Sequence, residues 1–264
     1  MAHLQMDFFS QALQVGSSID LILPEAAAGA IGIDSQAADD PPVLYLLHGL
    51  SDDHTIWMRR TSIERYAAQY GLAVVMPAVG RSFYADMTSG PAYWSYLTEE
   101  LPALVERCFR VGTGKEKTFV AGLSMGGYGA MKCALSFPER FAAVGAFSGS
   151  LDLGFRLDRA AEGGPDDLIA RDIRLAFGDP PRLRPEDDLV ELARRAAGRP
   201  DLPATYIACG SEDFLFDANE RYHALLTKVG IDHEYTVEPG IHEWGFWDRH
   251  IERFFVFCAG RGLL

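Results

Sequence analysis

Ser124 lies between two glycines in the motif GLSMG, residues 122–126. A branched apolar run at residues 118–121 predicts a strand just before the motif, and a helical stretch begins at Met125. A serine hydroxyl is a weak nucleophile, so a sharp turn must lift it to where a base and a carbonyl carbon can both reach it. The motif alone also fits a plain glycine-rich turn, but its position between strand and helix predicts that Ser124 is a nucleophile.

A nucleophilic serine needs a base and an acid that orients the base, and after a motif of this kind they follow in the order Asp or Glu, then His. Asp213 comes shortly after a predicted strand at residues 204–208, and His242 after the next one, at residues 234–237. We predict that His242 takes the proton of Ser124 and returns it to a leaving alcohol. Asp213 would fix the tautomer of the imidazole and stabilise the imidazolium.

Three other carboxylates compete with Asp213 for the role of the acid. Glu212 precedes it directly, and Asp152 follows a predicted strand at residues 142–147, another place where an acid can be carried. Asp217 opens the sequence DANE, which has the spacing of a capping box, so we predict that it caps the following helix. Asp213 is favoured because its strand immediately precedes the strand that delivers the histidine.

The sequence LLHGL, residues 46–50, ends an earlier predicted strand at Val43–Leu47. Backbone N–H groups at such a strand end can bind a carbonyl oxygen as it becomes negative. We predict that the N–H groups of Leu50 and Met125 do this, each contributing about 3 kcal/mol. The imidazole of His48 is predicted to brace this loop.

Aromatic side chains are frequent in the loops that should border these residues. Core packing is the commoner role for any one of them, but together they indicate an apolar pocket for an acyl or aryl group. We assign four of them to this substrate pocket: Trp57, Trp94, Phe214 and Trp244. No carboxylate pair, phosphate loop or cluster with metal-ligand spacing is evident, so we expect neither a cofactor nor a metal.

Strand-sized apolar runs alternate with segments of helical period, which implies βαβ crossovers and a mostly parallel sheet with helices on both faces. The N-terminal part, including residues 19–23, is predicted to add antiparallel edge strands. The predicted strands are Val43–Leu47 and residues 72–76, 118–121, 142–147, 204–208 and 234–237. The predicted helices are residues 61–70, with a capping box from Thr61 to Glu64, and residues 97–108, 125–135, 222–229 and 244–258.

We expect residues 1–264 to form a single α/β domain, since folds of this class often reach this length as one unit. Residues 26–40 are predicted to form a surface loop. Residues 151–200 interrupt the alternation and carry two predicted short helices, at residues 166–177 and 186–197. Insertions of this kind commonly form lids above a site.

The composition excludes several classes of partner. The 24 Lys and Arg residues against 37 Asp and Glu give a net charge of −13, which repels phosphate backbones and anionic lipids, so we expect no nucleic acid and no membrane partner. The N-terminal residues lack the features of a secretory signal, which favours a cytoplasmic location.

The cysteines Cys108, Cys133, Cys209 and Cys258 are far apart, and we predict that they are reduced thiols in the core. The sequence is compatible with either a monomer or a homo-oligomer.

At these residues the sequence resembles the tributyrin esterase and S-formylglutathione hydrolase-like esterases, which share ancestry with feruloyl, acetyl-xylan and mycolyl ester-handling enzymes. The resemblance runs nearly end to end through DFFS at residues 7–10, LHGL at 47–50, GLSMGG at 122–127, CGSED at 209–213 and GIHEW at 240–244. It implies an α/β-hydrolase fold and a cofactor-free serine esterase for short acyl esters. Ser124, Asp213 and His242 match the catalytic triad of that family.

One departure concerns the loop after the LHGL motif. S-formylglutathione hydrolases usually carry a cysteine there, whereas this chain has SDDH at residues 51–54. The sequence therefore favours a carboxylesterase for a small-molecule ester of a glycerol, aryl or sugar alcohol. The alternatives are an S-formylglutathione-type thioesterase and an acyltransferase. A non-catalytic scaffold is disfavoured because every part of the triad is present.

Overall fold

The computed structural model describes residues 1–26, 31, 38–164 and 166–264. Its eight strands form one sheet in the order β1-β2-β4-β3-β5-β6-β7-β8. The strands are β1 (Ala2–Ser10), β2 (Val15–Leu23), β3 (Val43–Leu47), β4 (Ala73–Pro77), β5 (Thr118–Leu123), β6 (Ala143–Phe147), β7 (Ala204–Gly210) and β8 (Glu234–Glu238). Most of the loop predicted at residues 26–40 lies outside the described residues.

The sheet has the predicted α/β-hydrolase arrangement. β3 to β8 are parallel to one another, while β1 pairs antiparallel with β2 and β2 pairs antiparallel with β4. All six strands predicted from apolar runs are present, with ends that differ by no more than two residues. This fold prediction is confirmed.

Ten helices are described, and they cover both faces of the sheet. They are α1 (Ile56–Arg60), α2 (Ile63–Gln69), α3 (Tyr93–Ser95), α4 (Leu101–Cys108), α5 (Met125–Ser136), α6 (Leu153–Glu162), α7 (Leu168–Phe177), α8 (Leu189–Ala196), α9 (Phe216–Val229) and α10 (Trp244–Gly260). A π-helical turn, Tyr96–Glu100, joins α3 to α4, and short 3-10 turns occur at Lys115–Lys117 and Pro138–Arg140. None of the helices within the described ranges is long and apolar enough to cross a membrane.

The capping box predicted at Thr61 does not form. The Thr61 hydroxyl donates to the carbonyl of Trp57 at 2.6 Å, and its N–H bonds the same carbonyl, so this residue ends α1 instead of starting the next helix. Ser62 is the N-cap of α2, without a side-chain cap bond. The apolar spacing in the sequence did not predict α1, because a helix of five residues is too short to give a helical pattern.

The core lies on both sides of the sheet. Val43, Tyr45 and Leu47 of β3 face one apolar cluster under α4, α5, α8 and α9, while Leu44 and Leu46 face a second cluster under α1, α2 and α10. Because helices cover both faces, β3, β4 and β6 are buried at every position. This double burial explains why these strands appear in the sequence as unbroken apolar runs.

The four cysteines are free thiols, but they are not all in the core. Cys133, Cys209 and Cys258 are buried, whereas Cys108 is exposed at the end of α4, contrary to the prediction. The apolar stripe of this helix turns its last residue towards solvent, since the chain leaves the helix at the next position.

In the segment predicted as an insertion, residues 151–200, the described part has three helices instead of the two predicted. α7 and α8 correspond to the predicted helices, and α6 was missed. Each of the three begins with an aspartate that accepts a backbone N–H: Asp152, Asp167 and Asp188. These N-caps stabilise short helices by satisfying N–H groups that have no intrahelical partner.

Candidate active site

Ser124 stands on a strained turn between β5 and α5. Its backbone has φ 52° and ψ −115°, an unfavourable region for a residue with a side chain. The turn is held by a hydrogen bond from its N–H to the carbonyl of Phe147 at 2.9 Å and one from Ser150 N–H to its carbonyl at 3.0 Å. The side chain is therefore raised above the carboxyl edge of the sheet, as the motif requires.

The two glycines of the motif permit a very close approach of α5 to the sheet. A Cβ on Gly122 would lie 2.5 Å from the carbonyl carbon of Gly126, and one on Gly126 would lie 2.4 Å from the carbonyl oxygen of Leu47. Any larger residue at either position would push the helix away from β3 and β5. The glycines thus fix the position of Ser124 relative to the LHGL loop.

Ser124, His242 and Asp213 form one row of hydrogen bonds. The Nε2 atom of His242 lies 3.0 Å from the Oγ of Ser124, and its Nδ1 lies 2.8 Å from Oδ2 of Asp213. An ionised carboxylate only accepts, so the bonding pattern assigns the proton to Nδ1 and leaves Nε2 free to accept the serine proton. Parallel pairing of β7 with β8 brings the acid and the histidine to the same edge.

Asp213 is 5% exposed and its carboxylate is well supplied with donors. Oδ1 also accepts the N–H of Leu215 at 2.8 Å. Burial raises the pKa of Asp213, but the hydrogen bond and charge of His242, with smaller contributions from Leu215 and Ser148, outweigh it and lower the pKa below its ordinary value. The carboxylate is therefore ionised throughout the neutral pH range.

The competing carboxylates have other partners. Glu212 accepts the N–H of Gly240 at 2.7 Å, which ties its loop to the one that carries His242. Asp152 caps α6 and forms an ion pair with Arg221 at 2.7 Å. Neither of these two side chains is hydrogen-bonded to the histidine.

The prediction that Asp217 caps a helix is wrong. α9 begins at Phe216, which puts Asp217 inside its first turn, and Leu215 stands at the N-cap without a side-chain bond. The N–H of Leu215 is already taken by Asp213, so the chain starts the helix earlier than the capping-box spacing indicated. A carboxylate in the first turn still interacts favourably with the helix dipole.

Leu50 and Met125 border the same cleft as Ser124 and His242. Met125 is the first residue of α5, where a backbone N–H has no intrahelical partner and is free to bind a ligand oxygen. A Cβ on the neighbouring Gly49 would lie 2.6 Å from Cδ1 of Leu123, so the loop before Leu50 packs tightly on β5.

His48 holds this loop from beneath. Val79 N–H donates to its Nε2 at 3.0 Å, so Nδ1 carries the proton and donates to the carbonyl of Gly49 at 2.7 Å. The hydroxyl of Tyr84 donates to the carbonyl of His48 at 2.8 Å. Burial lowers the pKa of His48 to about 4, although the Gly49 carbonyl acts in the opposite direction. The imidazole is thus neutral and structural at neutral pH.

A cleft of about 290 Å³ opens above Ser124. Of the four aromatic residues assigned to the pocket, Phe214 lines it and packs on the His242 ring at 4.4 Å. The other lining residues, besides Leu50, Met125, Ser124 and His242, are Ser51, Arg81, Phe83, Ser150, Arg156 and Ile169.

Trp57, Trp94 and Trp244 lie outside this cleft, contrary to the prediction. Trp57 is fully buried and donates its Nε1–H to the carbonyl of Leu47, and Trp244 packs edge-on against it at 5.3 Å. Trp94 stacks on Phe137 at 5.9 Å. These indoles serve core packing, the commoner role that the sequence could not separate from pocket lining.

Several cleft residues were not assigned to the pocket from the sequence. Phe83 is one of the aromatic residues in the loops expected to border the site. Arg81 follows β4, so the rule that parallel strands present their carboxyl ends at one edge could have suggested it. Arg156 and Ile169 come from α6 and α7 of the insertion, where no motif marked them. No group of three or more His, Cys, Asp or Glu that could hold a metal occurs among the residues described.

Comparison with known proteins identifies the family of the chain. The family model described as "Putative esterase" matches residues 19–255. The chain is 30% identical to an acetyl esterase of Caldicellulosiruptor saccharolyticus over 98% of both proteins, and 36% identical to an S-formylglutathione hydrolase of Paracoccus denitrificans over 40% of this chain and 46% of that protein.

Solved structures show the same relationship. The fluorophosphonate-binding serine hydrolase FphF of Staphylococcus aureus, with substrate bound, superimposes with a TM-score of 0.84 at 30% identity, covering 97% of each chain. The S-formylglutathione hydrolase FrmB of the same organism gives a TM-score of 0.81 at 30% identity, with 97% of this chain and 98% of that one covered. The chain therefore belongs to the esterase family of α/β-hydrolases and is a carboxylic ester hydrolase.

Proposed function

We propose that the chain is a serine carboxylesterase that hydrolyses short-chain acyl esters through an acyl-enzyme intermediate. The observation that carries this proposal is the unbroken row of hydrogen bonds from Ser124 through His242 to Asp213. Leu50 and Met125, whose backbone N–H groups are the candidate donors to the carbonyl oxygen, border the same cleft. These parts together suffice for acyl transfer to water.

The reaction starts with attack of Ser124 Oγ on the ester carbonyl carbon. The serine proton passes to Nε2 of His242, and the imidazolium is stabilised by the ionised carboxylate of Asp213. His242 then gives this proton to the alkoxide as the bond to the alcohol breaks, which leaves the acyl group on the serine. A water molecule repeats the sequence: it loses a proton to His242, attacks the acyl carbon, and releases the carboxylic acid as the proton returns to Ser124.

The carbonyl oxygen becomes negative during both additions. The N–H groups of Leu50 and Met125 are the candidate donors to it, each worth about 3 kcal/mol of transition-state stabilisation. The loop of Leu50 is braced by His48, and Met125 is held by the packing of α5 on the sheet, so little reorganisation is needed during the reaction.

The size of the cleft favours short acyl groups. About 290 Å³ is at the lower end of the range for ligand pockets, and Phe83, Ile169 and Phe214 form apolar parts of its wall. The relationship to an acetyl esterase supports the same size of acyl group. We expect acetyl to butyryl or hexanoyl esters to be the best substrates.

A second candidate is hydrolysis of S-formylglutathione, a thioester with the smallest acyl group. The observation in its favour is the sequence identity of the chain to two S-formylglutathione hydrolases, 36% and 30%. Against it, SDDH at residues 51–54 stands where those enzymes usually carry a cysteine. The same triad would serve either substrate, so the distinction lies in the leaving group.

The test is a panel of p-nitrophenyl esters from acetate to palmitate, measured beside S-formylglutathione, with wild-type protein and Ser124→Ala. We expect the highest kcat/KM with acetate to hexanoate esters, and no turnover or fluorophosphonate labelling in the folded variant. More than a few per cent of wild-type activity in Ser124→Ala would contradict the nucleophile. Faster turnover of palmitate than butyrate would contradict the acyl size, and a dominant rate with S-formylglutathione would favour the second candidate.

A further inference from the structure

Ser148 is a buried serine that the triad does not explain. It follows β6, the strand between β5, which carries Ser124, and β7, which carries Asp213. Its side chain is 0% exposed and its φ is 46°, a left-handed conformation that costs free energy for a residue with a side chain. Its N–H donates to the carbonyl of Ala208 at 2.7 Å, which holds the residue in this conformation.

The hydroxyl of Ser148 receives one hydrogen bond and is left with one proton to give. The Nε1–H of Trp247 donates to its Oγ at 3.1 Å, and an indole N–H can only donate. The hydroxyl also lies beside the carboxylate of Asp213 and contributes to lowering its pKa. Since an ionised carboxylate can only accept, the free proton of Ser148 is the one available to it. The thiol of Cys209 is a second neighbour, but it is neutral and a weaker acceptor than the carboxylate.

Trp247 also contacts His242, which is hydrogen-bonded to Asp213. Its ring lies edge-on to the imidazole of His242, with centroids 4.8 Å apart and an angle of 83° between the planes. It is 5% exposed, and it lies in the first turn of α10, the helix that starts directly after the histidine loop. One side chain thus packs against the base and hydrogen-bonds the serine that contacts the acid.

We propose that Ser148 and Trp247 are positioning residues of the triad, in which a chain of hydrogen bonds from the indole through the Ser148 hydroxyl locks the Asp213 carboxylate while the indole ring supports His242. The inference rests on the proposed function. Leu215 and His242 donate to the carboxylate, and the Ser148 hydroxyl is the third donor of the proposed arrangement, so a rotation of the carboxylate breaks these bonds. The imidazole is then held in the orientation that points Nε2 at Ser124.

The experiment measures kcat and KM for p-nitrophenyl acetate with Ser148→Ala and Ser148→Gly. Both remove the hydroxyl, but glycine accepts a positive φ and alanine does not, so the melting temperatures should differ while the kinetic losses agree. We expect kcat to fall about 10-fold in both, because a hydrogen bond to a charged group is lost, with KM within 2-fold of wild type. Trp247→Phe keeps an aromatic ring beside His242 and should lose about 3-fold in kcat.

A matched control is Ser10→Ala. Ser10 is also a buried serine that accepts a backbone N–H, from Leu13 at 3.0 Å, and donates to a carboxylate, Glu100 at 2.6 Å, but it lies on the edge strand β1. The same chemical change there should leave kcat within 2-fold of wild type. An equal fall in kcat in Ser10→Ala would show that loss of stability alone explains the effect, and would overturn the proposal.

A second measurement separates positioning from general damage. In an Asp213→Asn background, adding Ser148→Ala should change kcat by less than 2-fold, because the hydroxyl acts through the carboxylate that is no longer there. A full 10-fold loss in that background would overturn the proposal, as would wild-type kcat in both single Ser148 variants. If Ser124→Ala is inactive, such results overturn the positioning role alone. Activity in Ser124→Ala would instead overturn the proposed function and this inference together.

Discussion

The carboxyl edge of the sheet and the insertion at residues 151–200 both border Ser124, but they contribute to the cleft in different ways. The edge supplies hydrogen bonds at 2.8 to 3.1 Å between residues on three parallel strand ends. The insertion supplies Arg156 and Ile169 as parts of the wall. Strand ends fix atoms to the precision that chemistry needs, whereas helices above the sheet shape the space. We therefore expect reactivity to depend on the first region and selectivity on the second.

The largest effect is expected from Asp213→Asn. An asparagine keeps the shape but favours the wrong tautomer of His242, so turnover should fall about 10⁴-fold with little change in the melting temperature. Glu212→Gln is the matched control, since an amide carbonyl still accepts the N–H of Gly240 and the residue does not contact the histidine. Steady-state rates with p-nitrophenyl butyrate measure both, and equal losses would show that the acid was chosen wrongly.

The next largest effect, on stability, is expected from the buried ion pair between Lys132 of α5 and Asp187 of the segment 151–200. Lys132 on α5 is buried, bonds Asp187 at 2.6 Å and the carbonyl of Tyr84 at 3.0 Å, and lies 3.8 Å from the ring of Trp94. Burial lowers the pKa of this ammonium, with Asp187 acting in the opposite direction.

Lys132→Met leaves Oδ1 of the buried Asp187 without its ammonium partner, while Arg184 still pairs with Oδ2 of the same carboxylate. The variant should therefore destabilise the protein by about 2 kcal/mol in urea unfolding. The double variant Lys132→Met, Asp187→Asn should recover part of this loss, because no carboxylate charge is left buried. A double variant less stable than Lys132→Met would contradict the view that the pair anchors the insertion electrostatically.

Two buried histidines, His48 after β3 and His250 on α10, should make the protein sensitive to acid. Burial lowers the pKa of both His48 and His250 to about 4 in the folded protein, although Gly49 and Glu238 act in the opposite direction. In the unfolded chain histidines titrate near pH 6.5. The unfolded state therefore binds more protons between these values, so the stabilising contribution is complete above about pH 6.5 and is lost as the pH falls towards 4.

Melting temperatures measured from pH 7.5 to 4 check this expectation. His250→Gln should reduce the acid-dependent loss, since one of the two buried imidazoles no longer takes up a proton on unfolding. A melting temperature that stays constant from pH 7 to 4.5 in the wild-type protein would exclude the mechanism.

A smaller effect, on acyl-chain selectivity, is expected from substitution of Ile169, which lines the cleft wall. Ile169→Ala on α7 should enlarge the cleft and raise the ratio of kcat/KM for hexanoate over acetate about 10-fold, the lower end of what one methylene group is worth in an apolar pocket. Leu175→Ala is the control, because this residue is on the same helix with similar exposure, 38% against 40%, but does not line the cleft. An unchanged ratio for both variants would place acyl selectivity on the sheet edge instead.

The same two regions explain how far the sequence could be interpreted. Strands such as β3 were predictable because burial on both faces leaves an unbroken apolar run. That Ser124, Asp213 and His242 meet was predictable because parallel strands present the loops at their carboxyl ends at one edge. The pocket was not, because an indole packs equally well inward, as Trp57 of α1 does, or towards a ligand, and only tertiary packing decides. α6 and its Arg156 carried no motif at all.

The smallest expected effect concerns Asp217, four residues after Asp213 and at the border between the two regions. It lies in the first turn of α9 and makes no capping bond, so its contribution is the favourable interaction of a negative charge with the helix dipole. Asp217→Ala should therefore cost only about 0.5 kcal/mol in urea unfolding, less than the loss of a true cap, and the cost should shrink as salt screens the charge. Butyrate turnover should stay within 2-fold of wild type.

The control Asp217→Asn, which removes the charge but keeps the shape, should reproduce the same small loss of stability at low salt. A cost above about 2 kcal/mol that persists in 1 M salt would show that the side chain caps the helix in solution after all, and a collapse of turnover would make it a competitor of Asp213.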